Sequence, residues 1–159
     1  MKELVRFCTT ALVVIMLAVI GCSVPEVIPP GRSGLENPSW WVEPADVEMK
    51  AGETASVNIV LDTLKGSGEF SYTICRVKNA HVPYYQNIGV SPQDRLPMPK
   101  GLEVSIEPSQ FRASPYKTYH ALVTIRTTPE VPADEYIFFL EQRWDQVGTG
   151  GQCLAVNIM

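Results

Sequence analysis

Residues 101–144 read GLEVSIEPSQFRASPYKTYHALVTIRTTPEVPADEYIFFLEQRW, and this stretch decides the fold class. Apolar side chains recur at every second position in two segments, first at Leu102, Val104 and Ile106 and then at Tyr119, Ala121, Val123 and Ile125. A period of two puts alternate side chains on opposite faces of a β-strand, so each segment can present one apolar face to a core. We therefore expect two strands, a turn bounded by Pro129 and Pro132, and a third strand.

The third strand is ambiguous, because residues 136–140 form a continuous apolar run. Such a run is compatible with a central strand or with a buried helix. Pro132 and the acidic pair Asp134 and Glu135 can open a helix. We favour a strand over residues 133–144, because the aromatic and β-branched run is short and lies between turn signals.

The same alternation extends through the rest of the chain. Apolar positions recur at Val47 and Met49, at Ala55, Val57, Ile59 and Leu61, at Phe70, Tyr72 and Ile74, and at Leu154, Val156 and Ile158. We expect Gly148, Gly150 and Gly151 to form the turn before a last strand over residues 153–158. Antiparallel sheets with one solvated face produce this pattern. The sequence predicts an all-β domain over residues 40–159, an antiparallel β-sandwich of about seven strands.

An insertion at residues 79–100 breaks this rhythm with four prolines and a tyrosine pair. Segments of this length without regular structure are usually functional or disordered, and aromatic side chains are enriched in binding hot spots. The candidate contact surface therefore consists of His81, Tyr84, Tyr85, Trp40 and Trp41. As alternatives, the insertion only covers a sheet edge or adds a short strand, and one of the two tryptophans caps the sandwich while the other stays partly exposed.

The first 21 residues have the layout of a secretory signal peptide, with a basic start at Lys2 and Arg6 and an apolar run over residues 11–20. Residues 19–22, VIGC, resemble the lipobox of bacterial lipoproteins, in which the cysteine is acylated with diacylglycerol and the peptide is cut before it. The resemblance implies cleavage after Gly21 and a lipid on Cys22. An ordinary signal peptide or an uncleaved anchor is the alternative.

Residues 22–39 are rich in proline and poor in core-forming residues, and we interpret them as a tether. A proline-rich linker is extended at about 3.1 Å per residue, so the sixteen residues 23–38 can hold a domain up to roughly 50 Å from a bilayer. Two or three acyl chains suffice for stable anchoring. We expect an exported protein that is lipid-anchored at a cell membrane or cell surface.

Composition and motifs argue against several functional classes. The chain has 13 basic and 17 acidic side chains, and no Lys/Arg cluster follows the signal peptide, so nucleic acid is not an expected partner. His81 and His120 do not form a short-spaced pair of metal ligands. The sequence contains no Gly-x-Ser-x-Gly elbow and no glycine-rich phosphate loop. We expect no enzyme activity, no catalytic residues, no metal and no cofactor.

Two stretches carry a second resemblance, KAGETASVNIVL at residues 50–61 and TIRTTPEVPADEYIFFLE at residues 124–141. They look like the immunoglobulin-like sandwich domains of prokaryotic surface proteins. In those domains a Gly-Glu turn precedes the second strand, and a proline-rich turn ending in Tyr leads into the penultimate strand. Gly52, Glu53 and Tyr136 occupy these places, but Asp134 stands where the family usually has Gly. The resemblance implies a fold, and a fold does not imply a function.

The two cysteines of the predicted domain, Cys75 and Cys153, are candidates for a disulfide, which an exported protein can keep. In the immunoglobulin-like order their strands flank the penultimate strand and lie about 10 Å apart. A disulfide needs Cα atoms within about 7 Å. The bond therefore forms where the strands end, or the topology differs, or the thiols are free.

Three hypotheses of function follow from these observations, of which the third, a small envelope enzyme or metal chaperone, would need a convergent polar cluster that the sequence does not show. The first is a lipid-anchored, non-catalytic module that makes protein contacts or has a structural role in the cell envelope. The second is a carbohydrate-binding module that uses the aromatic residues of the insertion, with a glycan as its ligand. An exposed, near-planar set of aromatic rings would favour the second.

Overall fold

A computed structural model describes residues 38–82, 84–85, 89–145 and 147–159, with the backbone alone for residues 84, 85 and 147–149. The predicted signal peptide, Cys22 and all but the end of the predicted tether lie outside the described residues. No helix in the described part of the chain is long and apolar enough to span a membrane.

The described chain is built almost wholly of strands. They are β1 (Ser39–Glu43), β2 (Asp46–Met49), β3 (Thr54–Asp62), β4 (Gly68–Val77), β5 (Tyr84–Tyr85), β6 (Gly89–Val90), β7 (Arg95–Leu96), β8 (Leu102–Glu107), β9 (Gln110–Ala113), β10 (Thr118–Thr127), β11 (Asp134–Trp144) and β12 (Val147–Ile158). A single 3₁₀ turn, Pro92–Asp94, lies among the described residues before β7. The predicted strand over 133–144 is confirmed by β11.

Two sheets pack face to face. The first has the order β1-β3-β10-β8, and the second has the order β2-β12-β11-β4-β7 with β9 also paired to β4. The first order is that of strands A, B, E and D in an immunoglobulin domain, and β4, β11 and β12 take the places of C, F and G. The predicted immunoglobulin-like sandwich of about seven main strands is therefore confirmed, and the other strands are short additions.

The chain changes sheets between β1 and β2. β1 pairs antiparallel with β3 in the first sheet, whereas β2 pairs parallel with β12 in the second. Pro44 lies between them, and a proline has no N–H to continue a ladder. As a result, residues 39–49 supply an edge strand to both sheets, β1 to the first and β2 to the second.

The core lies between the sheets and contains the side chains that the alternation marked as inward. Fully buried members from both sheets are Val57, Ile59, Val123, Ile125, Phe138, Leu140, Leu154 and Val156. At one end of the sandwich, Phe70 stacks on Trp144 with ring centroids 5.8 Å apart. Burial of these apolar side chains is the main favourable term in folding.

The turn into β11 matches the predicted proline-rich turn. Tyr136 is buried, and its hydroxyl donates a hydrogen bond to the carbonyl oxygen of Pro132, at 2.9 Å. A tyrosine at this corner that bonds to backbone a few residues upstream is a hallmark of immunoglobulin sandwiches. Asp134, which replaces the usual Gly, accepts a hydrogen bond from the N–H of Glu135 at 2.9 Å, and β11 starts there.

The predicted turn at Gly148, Gly150 and Gly151 is wrong, because all three residues belong to β12, which pairs with β11 from Val147 onward. Gly151 is required there for packing. A Cβ at this position would overlap the ring of Phe139. The absence of a side chain at Gly151 therefore makes room for the ring of Phe139 on the outer face of the second sheet, and Gly151 is not a turn residue.

Candidate functional site

The described residues of the insertion (79–82, 84–85 and 89–100) lie against the outer face of the second sheet. Within it β5 pairs with β6, and β7 adds to the end of β4 as an edge strand. The alternative that the insertion adds a short strand is thus correct. Its other role is to cover the sheet, as its packing shows.

A small apolar cluster holds the insertion in place. Val90 of β6 is buried against Val77 and Phe139, with Val82 and Ile137 packed around them. In addition, Arg95 donates a hydrogen bond from Nε to the carbonyl oxygen of Val90, at 3.1 Å. Both faces of β11 bury apolar side chains here. For this reason its sequence is a continuous apolar run, whereas apolar and polar residues alternate in the other strands.

A partly buried ion pair, in which Glu141 is buried and Arg143 is about one third exposed, borders this cluster. Glu141 is 5% exposed, and its Oε1 lies 2.8 Å from Nε of Arg143. Gly89 lies above it, and a Cβ there would stand 2.7 Å from Oε2 of Glu141. A buried carboxylate requires such a partner, since an isolated one costs several kcal/mol or more.

Cys75 and Cys153 lie under the insertion on either side of Phe139, to which both are paired in register from β4 and β12. Both thiols are free, so the candidate disulfide is absent and the third of the three alternatives is the one observed. The reason is topological, since β11 separates the two strands by two inter-strand spacings of about 4.8 Å each. Sγ of Cys153 donates instead to the carbonyl oxygen of Ala80, at 3.5 Å.

Both thiols are half-buried, and this sets their chemistry. Burial raises the pKa of Cys75, Arg95 opposes that shift, and the charges of Glu141 and Cys153 add to it. Burial also raises the pKa of Cys153. A raised pKa leaves less thiolate at neutral pH, and the thiolate is the nucleophile. The raised pKa therefore lowers the reactivity of both thiols as nucleophiles at neutral pH.

The structure describes the side chains of three predicted contact residues, Trp40, Trp41 and His81, and these three lie on different surfaces. Trp40 points into the sandwich and lies 5.9 Å from Tyr72 between ring centroids, whereas Trp41 is half-buried on the outer face of the first sheet beside Val60. His81 is exposed on the insertion, outside the second sheet. The side chains of Tyr84 and Tyr85 lie outside the described residues, so their part in a contact surface stays a prediction.

A surface depression of about 460 Å³ is the feature that the sequence did not mark. It lies at the end of the insertion and along β8 and β10, and its lining residues are Met98, Leu102, Glu103, Val104, Ser105, Thr124 and Arg126. Met98, the insertion's contribution, is 40% exposed. The alternation did mark Glu103 and Ser105 as outward-facing, but only the pairing of β8 with β10 places Arg126 opposite Glu103.

The depression combines an apolar wall with two hydroxyls, of Ser105 and Thr124, and two opposite charges, of Glu103 and Arg126. Within residues 38–159 as described, no group of three or more His, Cys, Asp or Glu side chains is placed to hold a metal ion. Among the described residues β8 pairs only with β10 in the first sheet, so its other edge carries no strand there, and this edge runs along the depression. This edge and the insertion are the candidate site.

Comparison with known proteins supports the architecture. No protein-family model matches the chain, and no curated protein matches it. A family 123 glycoside hydrolase from Clostridium perfringens is similar over 77% of this chain and 27% of its own, with 8% identity and a TM-score of 0.52. The chain therefore spans about a quarter of that enzyme's length.

Two smaller structures are also similar. A PapD-like domain of human CEP192 matches over 86% of this chain and 96% of its own, with 13% identity and a TM-score of 0.44. The CupB2 chaperone of Pseudomonas aeruginosa matches over 74% of this chain and 55% of its own, with 14% identity and a TM-score of 0.44. By its strand order the chain is an immunoglobulin-like β-sandwich. At these identities the likeness concerns the fold alone.

Proposed function

We propose that the protein is an exported lipoprotein, anchored through Cys22, whose sandwich domain is a non-catalytic module that contacts another protein of the cell envelope. The lipobox-like residues 19–22 support the anchor, and the proline-rich residues 22–39 support a tether between lipid and domain. The domain is the part that makes the contact.

The observation that carries the proposal is the arrangement of the insertion. Val90 fixes it to the sheet by burial, while His81 stays exposed and Met98 forms a wall of the depression beside β8. Loops held on a rigid scaffold are where binding residues concentrate. An anchored insertion next to an open strand edge offers a preorganised contact surface, which reduces the entropy lost on binding.

The carbohydrate-binding alternative stays a prediction. It called for a near-planar set of exposed aromatic rings, and Trp40 and Trp41 face opposite sides of the first sheet. A glycan ligand is therefore kept as an outcome of the test below.

The anchor is tested by Cys22→Ser, with Cys8→Ser in the apolar run as the matched control. We expect Cys22→Ser to abolish metabolic labelling with a tagged fatty acid and to leave the signal peptide uncut, while Cys8→Ser behaves as wild type. Equal labelling of both variants would contradict lipidation at Cys22.

The contact is tested by crosslinking in the native membrane, followed by mass spectrometry of what is attached. A photo-crosslinking amino acid is placed at position 81 or 98, and at exposed Lys50 as the control. We expect one recurrent protein partner from positions 81 and 98 and none from position 50. No protein partner, with glycan retained instead, would overturn the proposal in favour of the carbohydrate-binding module.

A further inference from the structure

The edge of β8 carries main-chain groups that can pair with another strand. Thr127 donates its N–H to the carbonyl oxygen of Glu53, on the side of β3, and Thr128 donates its N–H to the carbonyl oxygen of Gly101, at 2.8 Å, on the side of β8. Hydrogen-bonding direction alternates along an antiparallel strand. In β8, the main-chain N–H and C=O groups that bond to β10 are therefore those of Glu103, Ser105 and Glu107.

The N–H and C=O groups of Val104 and Ile106 consequently point to the open side of β8. In the part of the chain that the structure describes, no strand lies on that side, since β8 ends the order of its sheet. Unpaired groups along an edge are a template for a further strand. The depression lies beside them, with Leu102 and Val104 in its lining.

The side chains on the solvent face of β8 determine which side chains an added strand can carry. Glu103, Ser105 and Glu107 are all exposed there. Glu103 lies opposite Arg126, whereas Glu107 lies opposite Leu122, which is 42% exposed and carries no charge. The edge therefore presents two carboxylates, and in the described register with β10 a cation lies opposite Glu103 but not opposite Glu107.

A second copy of this chain does not fit the edge well. If two β8 strands paired antiparallel about Ser105, Glu103 of one would lie opposite Glu107 of the other. Like charges directly opposite each other across strands are destabilising, and opposite charges are favourable. Acidic side chains on an edge thus oppose self-association and leave it open to a basic segment.

The geometry points to β8 as the docking strand of the proposed function: an extended segment of the partner protein, with Lys or Arg at two positions four residues apart, adds to it as a fifth strand of the first sheet. Its basic side chains lie opposite Glu103 and Glu107, and an apolar side chain enters the depression beside Met98. This inference rests on the proposed function, since it names the chemistry of the partner at that site.

The test uses the full-length protein in detergent and two fluorescent peptides, Lys-Val-Thr-Val-Lys-Val and the same sequence with Glu at both Lys positions. We expect the Lys peptide to bind about threefold to tenfold more tightly, as two cross-strand ion pairs allow. Binding should also slow hydrogen exchange of the Val104 and Ile106 amides, which report directly on strand addition. The exposed double variant Glu103→Lys/Glu107→Lys should reverse the preference.

A second variant separates strand addition from simple charge attraction. Val104→Pro removes one edge donor without touching the bonds to β10, so it should weaken binding of the Lys peptide while the thermal transition stays cooperative. Equal binding of both peptides, or binding without protection at Val104 and Ile106, would overturn the inference. A native partner that crosslinks to position 81 but not to position 107 would overturn it while the proposed function stands, whereas absence of any protein partner would overturn both.

Discussion

Gln152 donates a hydrogen bond from Nε2 to the carbonyl oxygen of Trp40, at 2.8 Å, and its Oε1 accepts one from the N–H of Val42, at 3.3 Å. Gln152 lies on β12 of the second sheet, and the two main-chain groups lie on β1 of the first. The side chain thus pairs with the edge of β1 as a strand would. It joins the sheets by a polar bridge at the border of an apolar core.

Replacing Gln152 by Leu should lower the free energy of unfolding by about 1–3 kcal/mol, because two partly buried main-chain groups lose their partner. Urea denaturation followed by tryptophan fluorescence measures the loss. Gln110→Leu on β9 is the matched control, since Gln110 is exposed, and it should stay within about 0.5 kcal/mol of wild type. Equal midpoints for the two variants would show that the bridge does not stabilise the fold.

Tyr72 should make stability fall at high pH. Burial raises its pKa from 10.0 to about 12, an effect that the hydrogen bond from Gln142 partly offsets. Between these values the unfolded chain loses a proton that the folded protein keeps. The contribution of Tyr72 is therefore fully present below pH 10 and is lost as the pH rises towards 12, by about 1.4 kcal/mol per pH unit.

Denaturation curves across this range test the effect through Tyr72→Phe, which removes the titrating group. This variant should be less stable at neutral pH, because Gln142 loses the hydroxyl that it donates to at 3.0 Å, and its stability should fall less steeply above pH 10. Tyr116→Phe is the control, because Tyr116 is 55% exposed. Parallel pH profiles for wild type and Tyr72→Phe would contradict the assignment.

Cys75 and Cys153 should remain separate thiols under oxidising conditions. Treatment with diamide, digestion without reductant and mass spectrometry should yield no peptide that links them, because β11 lies between their strands. In the folded protein both should also react slowly with iodoacetamide, since burial raises their pKa. Ser56→Cys, at an exposed position of β3, supplies a rapidly alkylated reference thiol.

Denaturation in urea should bring Cys75 and Cys153 to the reaction rate of the Ser56→Cys thiol. A Cys75–Cys153 peptide formed in the folded protein would mean that the order of strands in the second sheet is different.

Much of the fold was predictable because apolar and polar residues alternate with a period of two in a strand that has one buried and one exposed face. Val57, Ile59, Val123 and Ile125 were marked as inward in this way and are buried. The signal was weaker where both faces are covered. β11 therefore read as a continuous apolar run, and Gly151 read as a turn residue although it makes room for Phe139.

The candidate site was only partly predictable. The insertion stood out by its prolines, but its anchoring by Val90 depends on a second sheet that is distant in sequence. Trp40 and Trp41 are neighbours in the chain, yet a strand turns them to opposite faces. The open edge of β8 could not be predicted from the sequence. Alternation shows which face of a strand is buried, but it does not show which edge of the strand has no neighbouring strand.

The sequence by itself determined the fold class, the inward and outward faces of the main strands and the expectation of an exported, lipid-anchored chain, since composition and periodicity are local properties. Only the tertiary structure decided which strands are neighbours. That choice separates Cys75 from Cys153 by one strand, lets Gln152 close the edge of β1 and leaves the edge of β8 open. Strand order is settled by contacts between residues far apart in the chain, and no local pattern encodes it.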